Sequence, residues 1–186
     1  MVRRIVTGVN EGGKSTIVSD AEPPRSPKST KTPGFANYLL WATKAPASPG
    51  ADPTMSLRSW VPAPGETIAL TVTFPPDSVY ADPAFDPAAA AAEQLEATPG
   101  LAELFEPDNP GMHTTPTVDY AVVLDGEIVL DLDGETAVLG PGDFVVQNST
   151  RHAWRNPGTR PATLFFVMIG AHETDTAVRI QPAAEV

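Results

Sequence analysis

Prolines and glycines break this chain so often that a long helix has nowhere to run. The 186 residues include 21 prolines and 14 glycines, together about a fifth of the chain, and proline inside a helix removes a hydrogen bond and clashes with the preceding turn. Short strands joined by turns are what remains, so the expected class is all-β. The length suits one domain with a sizeable core and is too short for two full ones.

The pattern sharpens after Met112. VDYAVVL, the turn Asp125-Gly126, EIVLDLD, Gly134, TAVL, GPGD, FVVQ, HAWRN, NPGTRP and ATLFFVMIG alternate strand-forming runs with turn residues. Such a meander is expected to close on itself as a barrel. In VDYAVVL both alternating faces are largely apolar, which predicts cover on both sides, by a barrel interior on one and a second sheet or subunit on the other. Upstream, RRIVTGV, STIVSD and NYLLWAT read as strands separated by Pro-, Ser- and Lys-rich loops, and ETIALTVTFP as a firmer strand closed by Pro75 and Pro76.

Between these halves, DPAFDPAAAAAEQLEATPG predicts one or two short helices, with Pro87 in a first turn and Pro99-Gly100 as an interruption. An insertion at this position is able to cover the mouth of a barrel. The expected organisation is an N-terminal β and loop extension over residues 1–64 packing on the barrel, a barrel over 65–172 with the helical insertion at about 80–110, and a final strand or tail over 173–186.

Composition removes several function classes. No cysteine occurs, so disulfides, thiolate metal sites and cysteine nucleophiles are excluded. The net charge is -11, and every Lys and Arg lies before residue 59 or after residue 150. The acidic stretch between them repels nucleic acid. Neither a signal peptide nor a bilayer-spanning run is visible, so a cytoplasmic protein without a membrane partner is expected.

GVNEGGKS, at residues 8–15, matches a phosphate-binding loop letter for letter. That loop must open a helix, whereas STIVSDAEPP follows, so the segment reads as a hairpin turn and no nucleotide cofactor is expected. Asn148-Ser149-Thr150 is a glycosylation sequon with no secretory signal to make it relevant.

On an extended strand alternate side chains share a face, which sets His113, Thr115, Thr117, Asp119 and Ala121 together. No Lys or Arg stands near Asp119 in sequence. A buried carboxylate must be hydrogen-bonded, bind a metal, or hold a proton with a raised pKa. His152 opens HAWRN, with Trp154 on its face, and two imidazoles with one carboxylate are enough for a facial metal triad. The plainer alternative is a histidine satisfied by backbone or water and an aspartate capping a turn. His172 reads as a surface residue.

These segments resemble the two motifs of the cupin superfamily. The first is carried by His113-Thr-Thr115, three residues, Asp119, six residues and Gly126, and the second by Gly142-Asp143-FVVQNSTRHAWRN, with His152 and Asn156 in place. The resemblance covers roughly residues 65–170 and is nearest to a small bacterial single-domain cupin carrying H-x-T-x-T-x-D-Y. It implies a double-stranded β-helix or jelly-roll barrel. It also implies that His113, Asp119 and His152 are metal ligands, Asp119 standing where a glutamate is usual and Thr115 where a second histidine is. Gln147 and Ser149 fall near the usual proline and glycine.

Carried over to function, the resemblance implies a divalent metal (Fe, Mn, Ni or Zn) acting on an oxygenated organic substrate in an oxygenase, lyase or isomerase reaction. Asp119, His113 and His152 would be catalytic, with Thr115, Thr117, Gln147 and Trp154 binding substrate. Two other readings stand beside it: a metal-free acid/base dehydratase, decarboxylase or isomerase using Asp119 and histidine, and a barrel that binds a small ligand without turnover. The outward residues Tyr120, Val122 and Leu124 imply a homodimer.

Overall fold

The structure is a computed structural model and describes residues 2–172. Ten strands run in chain order: β1 (Arg4–Val9), β2 (Ser15–Ala21), β3 (Ala36–Thr43), β4 (Thr67–Phe74), β5 (Thr117–Asp125), β6 (Ile128–Asp131), β7 (Thr136–Leu139), β8 (Phe144–Asn148), β9 (Ala153–Arg155) and β10 (Ala162–Gly170). One α-helix, α1 (Pro87–Ala97), interrupts them. The predicted strands and the Ala-rich helix are therefore present, and the class is all-β. The expected C-terminal strand or tail at 173–186 lies outside the described residues.

Five strands form one antiparallel sheet in the order β3-β4-β10-β5-β8, and three form a second in the order β7-β6-β9. The two sheets make a jelly-roll sandwich. Strand β10 alternates buried and half-buried residues along its whole length, the period expected of a strand with one face on a core. Its inward Leu164, Phe166 and Met168 join Leu70, Val123 and Ile128 in the cluster between the sheets.

Strands β1 and β2 form a separate hairpin. Asn10 turns it, its side-chain oxygen accepting from the backbone N–H groups of Gly12 and Lys14, so the string at residues 8–15 is a hairpin turn and opens no helix. Strand β3, by contrast, pairs with β4 over Ala36 to Thr43 and is an edge strand of the larger sheet. The extension expected over residues 1–64 thus contributes a strand to the barrel itself.

Asp86 caps α1 by accepting from the N–H groups of Ala88 and Ala89, and Pro87 follows in the first turn, where its missing N–H costs nothing. Glu93 ties the helix to the N-terminal loop, accepting from the N–H groups of Thr30 and Lys31. The segment after the helix, rather than the helix, reaches the barrel mouth: Phe105 bridges to His113.

At the turn after β5, Gly126 has φ +79°, and a Cβ there would lie 2.7 Å from Ala162 Cα. Only glycine meets both demands, which gives the motif glycine a physical reason. Among the described residues no helix is long and apolar enough to cross a membrane.

Candidate functional site

Strand β5 carries the carboxylate. Thr117, Asp119, Ala121 and Val123 point inward and are buried, while Tyr120 and Leu124 on the other face are 52% and 53% exposed. The expected cover is supplied on the inner side only. Asp119 lies opposite Gln147 of β8 and Met168 of β10. It is 5% exposed, and its Oδ1 is enclosed with no hydrogen-bond partner among the described residues. Burial pushes its pKa up to about 6, with the Thr117 hydroxyl pulling the other way.

Among the described residues no cation is paired with this carboxylate. Arg151, the nearest in sequence, is held by Glu106 at 2.6 Å and by Asp133, and Arg155 by Asp131 at 3.2 Å.

The histidines sit at a seam. The backbones of His113 and His152 exchange two hydrogen bonds of 3.0 Å, joining the lead-in to β5 of the larger sheet with the lead-in to β9 at the edge of the smaller one. Their rings lie 4.3 Å apart, centroid to centroid, at 47°. Each Nδ1 faces a backbone carbonyl, Gly111 O at 3.1 Å and Thr150 O at 2.9 Å. With Nδ1–H donating to these carbonyls, each Nε2 is left as an acceptor.

Burial, reinforced by His152, lowers the pKa of His113 to about 4, with the Gly111 carbonyl and Glu106 opposing. His152 is lowered by burial, with the Thr150 carbonyl opposing. Both rings are therefore neutral at pH 7.

The remaining expected residues are all placed around this interior. Thr115 is 2% exposed and accepts from Thr117 Oγ1 at 2.7 Å, so the position of the missing histidine holds a hydroxyl pair. The Gln147 amide donates to Thr150 O at 3.2 Å. The Trp154 ring meets His152 edge-on at 5.9 Å and packs on Phe166. His172 is exposed, as expected.

Asn156 serves the fold instead. Its Nδ2 donates to Phe74 O and Arg160 O, and its Oδ1 accepts from the Gly158 N–H, so the side chain holds a turn. Ser149, near the usual glycine, takes φ 52° and donates its hydroxyl to Thr117 O at 2.8 Å.

Whether these groups fit a metal depends on the third ligand. The two Nε2 acceptors braced through Nδ1 are a suitable pair. Among the described residues, however, no three His, Cys, Asp or Glu side chains come together as a group that could hold a metal ion. The donor set stops at two imidazoles, and Asp119 lies on a separate rung of the sheet.

Some participants were not visible in sequence. Phe105 stacks on the His113 ring at 4.3 Å and 26°, and Glu106 and Arg151 pair across 45 positions of chain. The Arg beside His152, the first cation after the stretch from 59 to 150 that has none, was the one available signal. A cavity of about 360 Å³ lies elsewhere, between Lys44, Leu57, Arg58 and Glu66, and none of the expected site residues lines it.

Residues 103–168 match the family model of the cupin domain. Over 46 residues the chain is 59% identical to phomopsin biosynthesis cluster protein C' of Diaporthe leptostromiformis, covering 24% of each chain. Over 66 residues it is 36% identical to the cupin-domain-containing oxidoreductase fogC of Aspergillus ruber, covering 33% of this chain and 32% of that protein. The matches thus span only about a quarter to a third of these relatives' length.

The relatives are fungal, where the sequence resemblance pointed to a bacterial type. Among solved structures, the cupin domain of an XRE family transcriptional regulator from Enterobacter cloacae is similar at TM-score 0.35 and 15% identity, covering 57% of this chain and 83% of that one. The family match runs through the segments that carry Asp119 and both seam histidines, so it is residues 103–168 of this chain that are identified as a cupin domain.

Proposed function

We propose that this chain is a cupin enzyme that moves a proton on a small, uncharged organic molecule, in an isomerisation or dehydration. The observation that carries this reading is the enclosed Asp119 carboxylate, with one oxygen unpartnered and no cation against it among the described residues. A carboxylate so placed binds a proton more tightly than one in water, and a pKa near 6 suits a group that takes and returns protons near neutrality.

Above pH 6 Asp119 accepts a proton from a carbon beside a carbonyl, or from a hydroxyl, and hands it back at another atom. The seam imidazoles, neutral and with Nε2 as acceptor, orient a substrate hydroxyl. Trp154 walls the interior, and the Thr115–Thr117 hydroxyls and Gln147 supply further polar contacts. An interior in which the described residues supply no free cation favours a neutral substrate over a carboxylate or phosphate.

Asp119→Asn tests this directly. Turnover should fall by about 10²-fold or more, while chelation of the wild-type chain leaves it unchanged. Retained turnover in Asp119→Asn would sink the proposal.

A metal-dependent reading keeps one specific support, the Nδ1-to-carbonyl bracing of both histidines. Fe, Mn, Ni or Zn bound there would supply Lewis acidity or, for iron, oxygen activation, in keeping with the name oxidoreductase borne by the relative from Aspergillus ruber. Stoichiometric metal by elemental analysis, with turnover lost on chelation, would favour it over proton transfer alone. A small molecule that copurifies unchanged would favour the binding role instead.

We also propose a homodimer. Tyr120 pairs with Val146, and Val122 with Phe144, across strands β5 and β8. Phe144 and Val146 on the edge strand β8 and Tyr120 on β5 beside it are exposed, where a second copy related by a two-fold axis would present the same residues.

A further inference from the structure

The two imidazoles are 8% and 3% exposed, so a ligand reaches them only if something moves. What packs on the His113 ring is the loop at residues 105–111, and His113 in turn packs on His152. The loop folds on itself, with the Glu106 N–H donating to Met112 O at 2.8 Å and the Met112 N–H to Asn109 O at 3.0 Å, and it presses the Phe105 ring on His113. Phe105 is itself 41% exposed, so its burial anchors the loop only in part.

Two arginines hold the loop down, one on each side of the His152–Trp154 pair. Arg151 grips Glu106 with two bonds of 2.6 Å and reaches Asp133 beyond β6 with its third nitrogen. Arg155 donates to Pro110 O at 2.6 Å and to Asp131 at the end of β6. Each arginine thus straps the loop to the smaller sheet. These bonds are partly open to water, with the Glu106 and Asp133 side chains 36% and 70% exposed. Ion pairs open to water weaken as salt screens them, and a segment held chiefly by such contacts, with little apolar burial, opens before the core does.

We propose that residues 105–111 are a lid latched by Arg151 and Arg155 over the His113–His152 pair, and that a small neutral ligand enters when the Glu106–Arg151 pair parts. The lid rests on the reading that these histidines line the site, but its test needs no turnover. Diethylpyrocarbonate acylates neutral imidazole, and the chain has three histidines. His172 is exposed and serves as the internal reference.

In the folded full-length chain, peptide mass spectrometry should show His113 and His152 reacting much more slowly than His172. Glu106→Gln should speed both by about fivefold. Salt near 1 M, which shortens screening to about 3 Å, should speed the wild type and leave Glu106→Gln unchanged. Should Glu106→Gln lose its native circular dichroism, Asp133→Asn, at an exposed position, takes its place with a smaller acceleration expected.

Seam histidines that react as fast as His172 in the wild type, or folded latch variants with wild-type rates, would overturn the lid. If labelling follows the latch while Asp119→Asn keeps full turnover, the lid stands and the proton-transfer reading falls.

Discussion

Asp119 costs the fold stability for as long as it is charged. Its folded pKa is raised to about 6 against an ordinary value near 4 in the unfolded chain. The stabilisation belongs to the protonated form: it is complete below about pH 4 and lost as pH rises through about 6. Asp119→Asn removes the titration and should stabilise the chain by up to about 3 kcal/mol at pH 8, an increase of several degrees in Tm, with the gain vanishing at pH 4. Scanning calorimetry at the two pH values checks it. The same group should give the acid limb near pH 6 in a pH–rate profile, measurable by steady-state turnover and absent from any residual activity of the Asn variant.

The histidines run in the opposite sense. Their folded pKa values are lowered, so their contribution is present above about pH 6.5 and lost as pH falls toward 4. Between pH 6.5 and 4 Asp119 therefore offsets part of the loss. Urea midpoints across this range should fall more steeply in Asp119→Asn than in the wild type.

At the scale of elements, the barrel depends on a few turns as much as on its core. Gly126 combines a left-handed φ with a backbone neighbour at 2.7 Å, so Gly126→Ala should cost on the order of 2 kcal/mol or more, read as a lower urea midpoint. Asn156 is 1% exposed and satisfies three backbone groups at the end of β4 and in the turn before β10. Asn156→Ala leaves those groups unpaired and should cost about 3 kcal/mol or more. Its effect belongs to folding and not to ligand binding, so thermal stability should fall while the seam histidines keep their labelling pattern in the fraction that folds.

Across the whole molecule, the larger sheet leaves one apolar side to solvent at its β5–β8 edge. Phe144 is 78% and Val146 64% exposed, an arrangement more common at interfaces than on free surfaces. Sedimentation equilibrium should give a dimer for the wild type, and Phe144→Glu should shift it toward monomer with the circular dichroism spectrum retained. A wild-type monomer at micromolar concentration would remove the homodimer from the account.

Strand periods, turn residues and helix stops are local, and they were legible because each depends on a few neighbouring side chains. Strand geometry puts Thr117 and Asp119 on one face of β5, while His113 and Thr115, also buried, lie ahead of the strand. The membership of β3 in the larger sheet was not legible, since pairing partners as distant as Ala36 and Thr73 leave no local mark. Nor was the separation between the seam imidazoles and Asp119: the motif spacing brings them to one interior, but the rung each occupies depends on the register between β5, β8 and the lead-in to β9.

The latch is the extreme case, an arginine and a glutamate far apart in the chain that meet only after both sheets have closed. By itself the sequence determined the class, the strands and the residues that face inward. Tertiary structure alone decided which of those residues touch and what covers them, because contacts between distant segments are set by how the sheets pack and not by any local preference.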